Sequence, residues 1–172
     1  ADAEGCTHDR DSGAVRTPKG FREAYAQFVE GGWSGLTAPE EFGGQGLPEL
    51  VGAAFKEMLD AANLSWGNYP LLSHGATEAL KHHGEAWQQE VFLKPIVEGR
   101  WTGTMCLTEP HCGSDLALLK TRAEPQADGS YAVSGTKIFI TGGEHDLTDN
   151  IVHLVLARLP DAPAGTKGIS LF

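Results

Sequence analysis

The chain changes its hydrophobic period once. Between Phe21 and Gly99, outside one glycine-rich stretch, apolar residues return every three or four positions, as on one face of a helix; from Trp101 they gather in short runs of branched and aromatic residues, as in strands. An α+β fold follows, with a helical part over residues 1–100 and a β part over 101–172. In the first part Phe21, Tyr25, Phe28 and Val29 predict a helix opening at Thr17-Pro18 and stopping at Gly31-Gly32. Residues 33–46 are glycine-rich and irregular, pinned to the core by Trp33 and Phe42. The series Leu47, Leu50, Val51, Ala54, Phe55, Met58, Leu59 and Ala62 predicts a second helix whose stripe faces a core. A third follows Pro70 and ends at Gly84; a fourth runs from Glu85 to Leu93 and is closed by Pro95.

The strand candidates are Trp101 to Leu107, Leu118 to Glu124, Tyr131 to Val133, Thr136 to Ile140, Ile151 to Leu159 and Gly168 to Phe172. Asp128-Gly129 marks a hairpin between the second and third. The run Ile151 to Leu156 is apolar at nearly every position, which predicts a central strand covered on both sides. The chain starts without methionine and stops inside the last strand candidate, so the expectation is a piece of a longer protein.

Charge narrows the function classes. A formal net charge of −10 with no basic cluster disfavours nucleic acid and anionic lipid. No apolar run approaches the roughly 20 residues of a membrane helix, and the acidic start is unlike a signal peptide, so a cytoplasmic protein is expected. Cys6, Cys106 and Cys112 lack metal or disulfide spacing, and no metal site is expected.

Two stretches carry the candidate chemistry. In Met105-Cys106-Leu107-Thr108-Glu109-Pro110-His111-Cys112-Gly113-Ser114-Asp115 an apolar segment breaks at Glu-Pro into a turn, where Thr108 and Ser114 can present hydroxyls and amides together. Lys137-Ile138-Phe139-Ile140-Thr141-Gly142-Gly143 repeats the plan: an apolar run, a hydroxyl, two glycines. Taken alone, such residues form turns more often than ligand sites.

The run Leu107-Thr108-Glu109-Pro110 with Gly113-Ser114-Asp115 resembles the signature of the acyl-CoA dehydrogenase family of flavoenzymes, and Phe139-Ile140-Thr141 resembles its second flavin segment. Gly31-Gly32-Trp33, residues 41–46, Gly143 to Leu147 and Thr166 to Ser170 are similar to the 3-methylmercaptopropionyl-CoA dehydrogenase branch. The resemblance implies a partial N-terminal helical domain, then a partial middle β-barrel or sandwich domain, with the C-terminal four-helix domain absent. It implies FAD as cofactor, held by Met105, Leu107, Thr108, Ser114, Phe139, Ile140 and Thr141, with Ser114 also the substrate contact. Leu71, Leu72 and His74 would approach the acyl pocket.

The implied reaction oxidises an acyl-CoA thioester to the 2,3-enoyl-CoA. Its catalytic glutamate would lie outside these residues, leaving this chain inactive alone and Glu109 structural. Acyl-CoA, an electron-transfer flavoprotein and further copies of the chain are the implied partners. An acyl-CoA oxidase and a non-catalytic helical-plus-β interaction module are the alternatives.

Overall fold

A computed structural model describes residues 3–172. They divide into two compact units, one holding residues up to Thr104 together with Gly142–Val152, the other Met105–Thr141 together with His153–Phe172.

The first unit opens with a small antiparallel pair, β1 (Thr7–His8) and β2 (Val15–Arg16). Helix α1 spans Phe21–Glu30 and buries Phe21, Tyr25 and Phe28. Its start differs from the expected Thr17-Pro18 cap because Thr17 is engaged elsewhere: its amide and hydroxyl both donate to Asp146 Oδ1, at 3.0 and 2.7 Å. Gly20, at φ 90°, makes the left-handed turn into the helix instead. After Gly31-Gly32 come two short 3₁₀ turns, Trp33–Gly35 and Glu40–Phe42; Trp33 stacks on Phe55 with ring centres 4.7 Å apart.

Helix α2 spans Glu49–His83 and is broken at Asn63, whose backbone is extended. The second and third expected helices therefore meet at Asn63, and Pro70 lies inside the latter segment. The Asn63 side chain accepts the Trp66 amide at 3.1 Å, the geometry of an N-cap, so the polar residue starts this helix and the proline costs only one internal hydrogen bond. Asn63→Ala is expected to lower stability by about 1 kcal/mol, read as a shift in the urea midpoint.

The early stripe of α2 does not face a core throughout. Phe55 and Leu59 are half-buried, whereas Leu50 is 81% and Met58 65% exposed. Glu85 and Gln88 form a reciprocal capping box for α3 (Ala86–Gln88), which runs through a π-helical turn, Gln89–Leu93, into α4 (Lys94–Val97). Pro95 thus sits in the first turn of α4, where its missing N–H is tolerated, and does not end the helix.

The core of this unit is Phe21, Tyr25, Phe28 and Trp66, with Val29, Phe55, Leu59, Tyr69 and Leu147 packed against it. The segment 142–152 is held by buried His145. Its Nδ1 accepts the Leu147 amide at 3.1 Å, which leaves the proton on Nε2 to be donated to Thr102 Oγ1 at 2.9 Å.

The strands are β3 (Trp101–Cys106), β4 (Arg122–Pro125), β5 (Tyr131–Ser134), β6 (Asn150–Ala157) and β7 (Ser170–Leu171). β4 and β5 form the hairpin that Asp128-Gly129 announces, with Gly129 at φ 86°. A three-stranded sheet has the order β3-β6-β7, and among the described residues no barrel closes. β6 is central by order but not covered on both faces: Leu154 and Ala157 are buried, His153 is exposed, and β7 pairs only with Leu156 and Ala157.

Two strand expectations fail in part or in full. Residues 118–121 are not sheet, because the Lys120 and Thr121 amides donate to the Glu109 carboxylate and Leu116–Leu118 is a 3₁₀ turn. Residues 136–140 form no strand, since Phe139 takes the left-handed conformation at φ 57° and breaks the extended run.

Candidate functional site: two tied segments in the second unit

The two stretches singled out by sequence lie side by side. The Ile138 amide donates to the Thr108 carbonyl at 2.9 Å, and the Lys137 ammonium donates to the Leu107 carbonyl at 3.0 Å and to Glu109 Oε1 at 2.9 Å. Met105, Leu107, Thr108 and Ile140 are half-buried; Ser114 and Thr141 are exposed. A Cβ on Gly113 would stand 3.3 Å from Thr108 Cγ2, so the loop bearing Ser114 passes directly over Thr108.

Phe139 is 88% exposed as well as left-handed. A non-glycine residue in that region carries about 1–2 kcal/mol of strain. An aromatic ring held outward at such a cost, beside half-buried Ile138 and Ile140, offers a bare face to a flat apolar ligand.

Glu109 is the polar centre of this unit, 3% exposed. Its Oε1 accepts the Thr121 amide at 2.9 Å and hydroxyl at 2.5 Å besides Lys137, and its Oε2 accepts the Lys120 amide at 2.8 Å. Burial alone would raise its carboxyl. The Thr121 hydroxyl, the Lys120 amide, the Lys137 ammonium and the Thr121 amide outweigh burial and hold it at about 2. A carboxylate so committed is a poor proton acceptor, and its structure-bearing role closes the neck of the 110–119 loop.

Arg158 holds the far side of that loop through the carbonyls of Ala117 and Leu119, both at 2.8 Å. Glu109, His111 and Cys112 converge within 4.8 Å. The Glu109 oxygens are occupied by donors, however, and His111 Nε2 donates to the Leu118 carbonyl at 3.0 Å.

Sequence reasoning gave no role to Lys137, Thr121 or Arg158. A signal for Lys137 was available: an acid at the end of an apolar strand needs a cation, and Lys137 is the charged residue of an otherwise apolar run.

In the first unit Leu71 and His74 line a cavity of about 370 Å³ together with Trp33, Phe55 and Leu59. Leu72 does not line it.

Comparison with known proteins shows the family. Residues 7–100 match the acyl-CoA dehydrogenase N-terminal domain and residues 104–172 the acyl-CoA dehydrogenase middle domain. The chain belongs to the acyl-CoA dehydrogenase family, whose cofactor is FAD. It is 55% identical over 162 residues to the 3-methylmercaptopropionyl-CoA dehydrogenase of Ruegeria pomeroyi, covering 94% of this chain and 28% of that enzyme.

Among solved structures it is similar to butyryl-CoA dehydrogenase from Megasphaera elsdenii, with a TM-score of 0.75 and 27% identity over 96% of this chain and 40% of that one. It is also similar to the FAD complex of PigA, with a TM-score of 0.74 and 25% identity over 88% of this chain and 39% of that one. The chain thus spans well under half the length of these proteins. Among the described residues no helix is long and apolar enough to cross a membrane.

Proposed function

We propose that this chain is the flavin-gripping portion of an FAD-dependent acyl-CoA dehydrogenase. The observation that carries the reading is the pair of bonds from Lys137 and Ile138 to the carbonyls of Leu107 and Thr108, which join two hydroxyl-bearing segments into one support. The residues fit a flavin. Phe139 supplies a flat apolar face, Met105 a polarizable one and Leu107 an aliphatic one, and the Thr108 and Thr141 hydroxyls supply partners for ring heteroatoms. Ile140, half-buried between Phe139 and Thr141 in the chain, adds apolar surface, and Ser114, exposed in its loop, meets a phosphate-bearing part of cofactor or substrate.

Bound FAD would accept the β-hydrogen of the acyl-CoA as hydride. This chain's residues bind and orient; the base that takes the α-proton is a glutamate outside residues 1–172. Glu109 is reserved for structure. The division into residues 1–100 and 101–172 follows the same reading, as do an electron-transfer flavoprotein as oxidant, assembly with further copies, and a cytoplasmic place in fatty acid metabolism.

Titration of the chain with FAD, followed by flavin fluorescence, tests this. Thr108→Val and Thr141→Val are each expected to weaken binding about three- to tenfold, the worth of one hydrogen bond. A chain that takes up no FAD, or variants that bind it as wild type does, would count against the assignment and in favour of a module that acts through an interface alone.

A further inference from the structure

We infer that Lys137 is a positioning residue that fixes the spacing between the two flavin-gripping segments, an inference that rests on the reading just given. Its side chain is 10% exposed. One ammonium makes two bonds of different kinds: to the carboxylate of Glu109, which neutralises it, and to the carbonyl of Leu107, which is a backbone atom of the first segment. Lys137 lies two residues before Phe139 and four before Thr141. A displacement of its Nζ is therefore passed along a short, conformationally restricted piece of backbone to both.

The Ile138 amide and the Thr108 carbonyl set the direction of approach, and the Lys137 arm sets the separation. An ammonium is suited to this, being a compact charge whose three donors can be shared between a carboxylate and a carbonyl about 3 Å away. A guanidinium is planar and longer and cannot occupy the same point.

A purely structural role would be confined to neutralising Glu109. The two roles separate in a pair of variants. Lys137→Met leaves a buried carboxylate without its cation and also removes the bond to Leu107. Glu109→Gln combined with Lys137→Met removes the stranded charge, keeps one acceptor oxygen, enough for the two Thr121 donors but not for the Lys120 amide as well, and still lacks the bond to Leu107.

The chain and both variants would be titrated with FAD by flavin fluorescence, and unfolded with urea in parallel. The Lys137→Met chain is expected to unfold at lower urea and bind FAD about tenfold more weakly. The double variant is expected to regain part of the lost urea midpoint while its FAD affinity stays about tenfold down. Recovery of both together would overturn the positioning role and leave charge neutralisation as the whole function of Lys137. Absence of FAD binding by the unaltered chain would instead sink the flavin reading itself, and this inference with it.

Discussion

Glu109→Ala is expected to destabilise the second unit by about 3–5 kcal/mol, the range for removing one partner of a buried ion pair. The substitution strands the Lys137 ammonium with only the Leu107 carbonyl, and it leaves the Lys120 and Thr121 amides and the Thr121 hydroxyl without their acceptor. Domains rarely exceed about 15 kcal/mol in total, so a loss of this size should be visible as a large drop in the urea midpoint followed by circular dichroism. Glu109→Gln keeps an acceptor and should lose less. Equal midpoints for wild type and Glu109→Ala would show that the carboxylate is dispensable.

The same carboxylate sets an acid limit. Its folded value, about 2, lies below the ordinary glutamate value, so its contribution is fully present above about pH 5 and is lost as pH falls through roughly 4.5 to 2. Asp146 adds a contribution of the same sign. Burial raises its carboxyl, but the Thr17 hydroxyl and amide and the charge of Arg22 bring it below the ordinary aspartate value. Both groups stabilise the chain when ionised, and acid removes both effects.

Much of the secondary structure was legible because it is local. β3 and β6 announce themselves by runs of branched residues, the β4–β5 turn by Asp128-Gly129, and the end of α1 by Gly31-Gly32. What failed depends on partners distant in sequence. Thr17 is a reasonable cap until Asp146, far along the chain, claims its amide and hydroxyl. Residues 118–121 have strand composition, yet a side chain at 109 takes two of their amides.

Pro70 and Pro95 mislead for another reason. Proline is tolerated in a first turn or where a single bond is lost, and which of these holds depends on where the preceding cap lies. The candidate site shows the same division. Its hydroxyls and its aromatic residue are written in two contiguous motifs, whereas the Lys137 and Arg158 anchors join residues that no local pattern connects.

Trp66→Ala is expected to cost the first unit about 3–5 kcal/mol through the cavity it leaves. Trp66 crosses Phe28 edge-on at 5.4 Å, lies 6.3 Å from Tyr25, and donates its indole N–H to Phe21 at 3.1 Å. One residue on α2 therefore joins every buried aromatic of α1. Leu50, on the same helix and of equal standing in the hydrophobic period, is the control: it is exposed, and Leu50→Ala should change stability by less than about 0.5 kcal/mol. Urea denaturation followed by far-ultraviolet circular dichroism compares the two without relying on tryptophan fluorescence. Comparable losses would mean that the early stripe of α2 is packed in solution; a large difference would place the core on the segment that Asn63 starts, with helical period alone unable to tell the two faces apart.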